Sequence, residues 1–162
     1  MTQHFSLPTR SIAADKKTAY INARLIDPES GLDAMGGLLT EGSTIADFGE
    51  GLFADGNTPE GAEVVDCGGH ILCPGLLDIQ VHFREPGQEY KETIETGSRS
   101  AVAGGVTSVV CMSNTDPVID DPAIVAFLQK RERETGFCRV YAYGCISKGM
   151  KGDELTEMGL LK

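Results

Sequence analysis

Two rhythms of hydrophobic and polar positions divide the chain. From Thr18 to Leu72, short strand-like runs (Ala19 to Ile26, Gly37 to Thr40, Thr44 to Phe48, Ala62 to Asp66, His70 to Leu72) alternate with turn clusters such as Asp27-Pro28 and Asp55-Gly56-Asn57. That pattern predicts a small antiparallel β unit. After Pro74-Gly75 the period changes. Leu76 to Arg84 alternates as a strand does, Lys91 to Ala103 has helical spacing that stops at Gly104-Gly105, and Val106 to Met112 is a continuous apolar run suited to a strand covered on both faces. A well-punctuated helix follows: Asp121 is placed to cap it, Pro122 suits its first turn, Ile124, Val125, Phe127 and Leu128 form its apolar stripe, and Gly136 closes it. A further strand, Arg139 to Ile146, and a helix start near Gly152-Asp153 complete the series. Strand and helix thus alternate three times, which calls for parallel strands joined by right-handed crossovers.

The expected organisation is therefore a leader over residues 1–17, part of a small β domain over 18–73, and the first β/α units of a barrel over 74–162. The leader holds Pro8, Arg10, Lys16 and Lys17 without the apolar run of a secretory signal, so it reads as a mobile arm. The final helix carries Leu155, Met158 and Leu161 with no strand after it to cover them. A closed (β/α)8 barrel needs roughly 250 residues, so the expectation is the N-terminal portion of a longer protein.

Composition narrows the classes of function. Of 162 residues, 41% are hydrophobic, enough to bury a core and to exclude wholesale disorder. A formal charge of −10 repels phosphate backbones and anionic headgroups, which argues against nucleic acid as a partner. The most apolar stretch, Ala101 to Met112, is too short to span a bilayer, so no membrane association is expected and the location reads as cytoplasmic. Five cysteines, an odd number lying mostly in apolar segments, fit reduced thiols better than a disulfide framework.

The strand from Leu76 to Arg84 draws attention to chemistry. Alternation puts Asp78, Gln80, His82 and Arg84 on one face and Leu77, Ile79, Val81 and Phe83 on the other. A solvated face of an antiparallel strand shows the same pattern. A strand opening a parallel run, however, is normally covered on both faces, and an enclosed row of carboxylate, amide, imidazole and guanidinium needs partners such as a metal ion and an anionic substrate.

The motifs Pro74-Gly75-Leu76-Leu77-Asp78-Ile79-Gln80-Val81-His82-Phe83-Arg84-Glu85-Pro86-Gly87, Lys91-Glu92-Thr93, Ala103-Gly104-Gly105-Val106-Thr107, Met112-Ser113-Asn114-Thr115-Asp116-Pro117 and Ser147-Lys148-Gly149-x-Lys151-Gly152-x-Glu154-Leu155 closely resemble the dihydroorotase family of the amidohydrolase superfamily. The resemblance runs from about Thr18 to Lys162. It implies an α/β fold, the incomplete N-terminal part of a TIM-like (β/α)8 metal-dependent hydrolase barrel, preceded by part of a small β-sandwich-like domain. It also implies reversible hydrolysis of the cyclic amide of dihydroorotate to N-carbamoyl-aspartate in pyrimidine biosynthesis, with one or two zinc ions.

Residue by residue, the resemblance makes His82 a metal ligand, Arg84 and Asn114 the residues that bind the substrate carboxylate, and Asp78 a carboxylate that orients a ligand. The family's first strand usually reads Asp-x-His-x-His with both histidines on zinc. Here Gln80 replaces the first, and a neutral carboxamide oxygen is a poorer zinc ligand than imidazole. Ser113 stands where the family usually has Pro. The chemistry of Arg84 agrees with its implied role, since a planar guanidinium grips a carboxylate through two parallel hydrogen bonds. Two plainer readings stand beside these: Arg84 as a surface partner of Glu85, and Asn114 as an Asx turn before Asp116-Pro117. Allantoinases and hydantoinases, whose substrates lack that carboxylate, usually show another residue where Arg84 stands.

The general acid/base Asp and the remaining ligands are expected beyond Lys162, so these 162 residues alone are expected to be inactive. The alternative from another class is a non-catalytic homologue acting as a structural partner of aspartate carbamoyltransferase, which Gln80 and Ser113 favour; a homo-oligomer is also expected. Cys67-x2-His70-x2-Cys73 has metal-like spacing but only three donors, and Lys148 reads as a solvated loop residue as readily as one that nears the site.

Overall fold

The computed structural model describes residues 16–162; the expected leader over residues 1–17 lies almost wholly outside them. The chain forms two compact units that meet between Pro74 and Gly75.

In the first unit, β1 (Lys17–Asp27), β2 (Leu32–Glu41) and β3 (Thr44–Glu50) form an antiparallel meander. The short strands β4 (Glu63–Asp66) and β5 (Ile71–Leu72) add to the free edge of β1. Both run parallel to β1, which corrects the wholly antiparallel expectation. Periodicity reports which residues share a face; strand direction depends on the path of the connecting loops, which it does not encode.

The second unit is a three-stranded parallel sheet ordered β6 (Leu76–Val81), β7 (Val106–Cys111) and β8 (Arg139–Ala142). The crossovers are α1 (Ile94–Ala103) and α2 (Pro122–Thr135). Helix α1 begins three residues later than its spacing suggested. Thr93 Oγ1 accepts from Thr96 N while Thr96 Oγ1 accepts from Thr93 N, a reciprocal cap that fixes the first turn there. Helix α2 starts as its punctuation predicted, with Asp121 Oδ1 accepting from Ala123 N at 2.7 Å and Pro122 in the first turn. Its stripe is narrower than expected: Leu128 is buried and Ile124 and Val125 pack on the core, whereas Phe127 is exposed. No helix starts at Gly152-Asp153. A single 3-10 turn occupies Lys148–Met150, and α3 is only Met158–Leu161, because Gly149 and Gly152 take left-handed backbone angles there.

Phe83, Ile94, Val109, Cys111, Ile119 and Leu128 form the core of the second unit. Ile94, Val109 and Ile119 are wholly removed from water, each worth about 1.5–3 kcal/mol of burial. All five cysteines are free thiols; Cys111 and Cys145 are buried, but Cys73 is exposed. Burial pushes the Cys111 thiol up to about 12, so it is an inert core residue and not a nucleophile.

Candidate functional site

The chemistry collects where β6 and β7 end. Strand β6 stops at Val81, so His82 and Arg84 lie in the loop beyond it and not within a longer strand. The register against β7 explains the early stop. Asp78 faces Val109 and Val81 faces Cys111, so β6 carries one extra residue in that interval, a β-bulge. Asp78 Oδ1 accepts from Gln80 N at 2.9 Å, which supplies a partner for the backbone group that the bulge takes out of register. Strict alternation from Asp78 to Arg84 therefore does not survive.

Nor is the row enclosed. Asp78, Gln80 and His82 are exposed, Arg84 is half-buried, and Leu77 and Ile79 are each 59% exposed, so both faces of β6 are open. This corrects the expectation of a strand covered on both sides: the described residues place nothing beyond β6 on its far edge.

What the fold does bring together is the loop after β6 and the loop after β7. Met112 N donates to Val81 O at 2.9 Å, Asp116 N donates to Pro86 O at 3.0 Å, and a Cβ on Gly87 would stand 1.9 Å from Asp116 O. The two loops are therefore in direct backbone contact, an approach that glycine at 87 permits. Across them His82 Nδ1 lies 3.0 Å from Asn114 Oδ1. An amide oxygen only accepts, so this contact is a hydrogen bond in the tautomer that carries its hydrogen on Nδ1, the one that leaves Nε2 to bind a metal. Asn114 is thereby committed to His82 through its oxygen, which replaces the Asx turn as its local role. Its amide N–H groups have no acceptor among the described residues.

Arg84 takes φ 61°, a left-handed conformation rare outside glycine, and its guanidinium has no hydrogen bond or ion pair among the described residues. The surface pairing with Glu85 does not form. Glu85 is 4% exposed and engages Arg131 instead, with Arg131 Nε donating to Glu85 Oε1 at 2.5 Å and Ile94 N donating to Glu85 Oε2 at 2.8 Å. That hydrogen bond raises the Arg131 pKa above its usual value. Sequence reasoning missed both residues as part of the site's frame. Glu85 gave a signal only as Arg84's neighbour, and nothing in helical periodicity links it to a residue 46 positions on.

The other candidates have local partners of their own. His70 Nδ1 contacts Cys67 O at 2.7 Å, so the Cys67-x2-His70-x2-Cys73 run is closed on its own backbone. Lys148 pairs with Glu154, which raises the lysine pKa. Among the described residues no three His, Cys, Asp or Glu side chains group as a metal site would require.

A family model described as Dihydro-orotase-like matches residues 69–162, which takes in β6, α1, β7, α2 and β8 with Asp78, Gln80, His82, Arg84 and Asn114. The chain belongs to the dihydroorotase-like family. Dihydroorotase from Wolbachia sp. subsp. Brugia malayi is 53% identical over 163 residues, covering 100% of this chain and 36% of the relative. Dihydroorotase from Ehrlichia canis is 51% identical over 160 residues, covering 99% of this chain and 35% of the relative. The chain thus spans about a third of the length of these dihydroorotases. Among solved structures, D-hydantoinase (dihydropyrimidinase) from Thermus sp. superposes with a TM-score of 0.60 at 27% identity, over 80% of this chain and 28% of the other. L-Hydantoinase from Arthrobacter aurescens reaches a TM-score of 0.64 at 22% identity over the same shares, a likeness of fold. The mixed α/β fold is shared with the matching portions of these two hydantoinases.

Proposed function

We propose that this dihydroorotase-like chain supplies the substrate-carboxylate clamp and one metal-ligating histidine, His82, of an enzyme that reversibly hydrolyses dihydroorotate to N-carbamoyl-aspartate. The single observation that carries the reading is Arg84: a guanidinium at the C-terminal end of a parallel sheet, held by an unusual backbone angle, with no protein acceptor among the described residues. Asn114 complements it. With Oδ1 occupied by His82, its amide N–H groups are left to donate to the same carboxylate.

In this reading β6, α1, β7, α2 and β8 are the first units of a TIM-like (β/α)8 barrel, whose active sites lie at strand C-terminal ends. His82 fits as one zinc ligand through Nε2, with Gln80 nearby in sequence as a weak oxygen donor and Asp78 a supporting carboxylate. These three do not complete a zinc site, and the described residues hold no cluster that does. Zinc in a completed site supplies Lewis-acid polarisation of the ring carbonyl and a water acidic enough to attack it. The residues of this chain bind and orient: Arg84 and Asn114 fix the carboxylate, and Asn114 fixes the tautomer of His82. The proposed setting is cytoplasmic, with self-association or aspartate carbamoyltransferase as the assembly partner. No helix among the described residues is long and apolar enough to cross a membrane.

The test is substitution of Arg84 in the complete native polypeptide. Losing a bidentate, charge-assisted contact costs about 2–3 kcal/mol, so Arg84→Ala raises KM for dihydroorotate about 30- to 160-fold, and Arg84→Lys recovers part of the loss. Steady-state kinetics in both directions read this out. An unchanged KM in Arg84→Ala would remove the carboxylate-clamp reading.

A further inference from the structure

We propose that the Glu85–Arg131 ion pair, buried at its carboxylate and partly open at its guanidinium, is a positioning device for the clamp: it holds the turn on which Arg84 is mounted, and so sets affinity for the substrate carboxylate without touching it. This rests on the assignment of Arg84 made above. Glu85 is adjacent to the residue with the left-handed backbone, and both of its carboxylate oxygens are used, one by Arg131 of α2 and one by Ile94 N at the start of α1. One side chain thereby ties the loop after β6 to both crossover helices.

Two physical consequences bear on Arg84. A left-handed backbone at a non-glycine residue costs about 1–2 kcal/mol and persists only where its surroundings enforce it. Arg84 receives no such help from its own side chain, but Gln88 N donates to Arg84 O at 2.9 Å, Asp116 N holds Pro86 O, and the Glu85 carboxylate anchors the position between them. The second consequence is electrostatic. Glu85 is the acidic residue next in the chain to Arg84, and a carboxylate without a partner would seek the nearest guanidinium. Arg131, 29% exposed at its side chain, occupies Glu85 and leaves the Arg84 guanidinium for a ligand. A buried ion pair generally contributes little to stability over an apolar pair of the same shape, so geometry accounts for this one better than stability does.

The experiment compares Glu85→Gln, Arg131→Lys, Arg84→Ala and the Glu85→Gln/Arg84→Ala double variant in the complete native polypeptide, by KM, kcat and thermal unfolding. Misplacing the clamp by a fraction of an ångström is expected to raise KM for dihydroorotate about tenfold in Glu85→Gln and in Arg131→Lys, with kcat within about threefold of the parent. In the Arg84→Ala background, Glu85→Gln is expected to add nothing to KM, because there is no clamp left to misplace. A fall in Tm and kcat with KM unchanged, or a KM effect that multiplies with that of Arg84→Ala, makes the pair a stability element and overturns the proposal. Should Glu85→Gln not fold, Arg131→Lys decides by the same criteria, and failure of both to fold also overturns it. The two readings fail differently: Arg84→Ala with an unchanged KM removes the clamp and this proposal together, whereas a raised KM in Arg84→Ala with a silent Glu85→Gln removes the positioning role alone.

Discussion

At Arg84 the backbone sits at φ 61°, a steric cost, and the guanidinium meets no acceptor among the described residues, so the side chain adds no polar contact to the fold. Glycine reaches that angle without steric cost, although it gives up about 0.5–1 kcal/mol of unfolded-chain entropy. The balance predicts that Arg84→Gly leaves Tm equal to the parent or raises it, while dihydroorotate affinity is lost. Calorimetric unfolding beside a binding titration checks it. A Tm lower by several degrees would show that the guanidinium has a structural partner after all. The sequence made Arg84 and His82 legible as candidates through the chemistry of their residue types as well as the family resemblance, and Asn114 through the resemblance alone. It did not separate Arg84 as a clamp from Arg84 as a partner of Glu85, since that choice depends on Arg131, which only the fold brings near. The link from His82 to Asn114 spans 32 positions and was likewise invisible to any periodicity.

Helix α1 approaches the loop after β6 closely at Gly97. A Cβ at Gly97 would lie 2.4 Å from Phe83 Cδ1 and 2.5 Å from Cε1, and Phe83 is 7% exposed in the core, with little room to move. Gly to Ala in an open helix stabilises by about 0.5–1 kcal/mol. Here Gly97→Ala is expected to destabilise by about 1–3 kcal/mol through overpacking, and Phe83→Leu in the same chain to restore part of the loss. Chemical denaturation of the single and double variants measures both effects; a more stable Gly97→Ala would mean the helix can slide. Because Phe83 lies between His82 and Arg84, that shift should reach the site as well. Element boundaries were legible where local chemistry writes them, as with Asp121, Pro122 and Gly136 around α2. They were displaced where a reciprocal threonine cap or a β-bulge decided them, since alternation alone shows neither. Strand direction in the first unit depended on the path of the loops between β3 and β5.

The alternation of strand and helix was enough to specify the parallel order β6, β7, β8, because right-handed crossovers leave few other arrangements. Burial was not legible in the same way: among the described residues no helix packs extensively on β6, so its faces are open and Leu76, Leu77 and Ile79 are exposed despite their composition. The same reasoning applies to the metal. One imidazole engaged through Nδ1, a carboxamide and a carboxylate already engaged by a backbone N–H do not meet the four-donor tetrahedral demand of zinc. The chain spans about a third of the length of its dihydroorotase relatives, which leaves most of their length to carry further donors. The 162-residue polypeptide by itself is therefore expected to retain no stoichiometric zinc after gel filtration and to show no carbamoyl-aspartate cyclisation, while the complete polypeptide shows both. Elemental analysis paired with a turnover assay, in a host strain lacking its own enzyme, makes the comparison. Retained zinc with turnover in the short polypeptide would mean that Gln80, Asp78 and His82 close a site their present geometry leaves open.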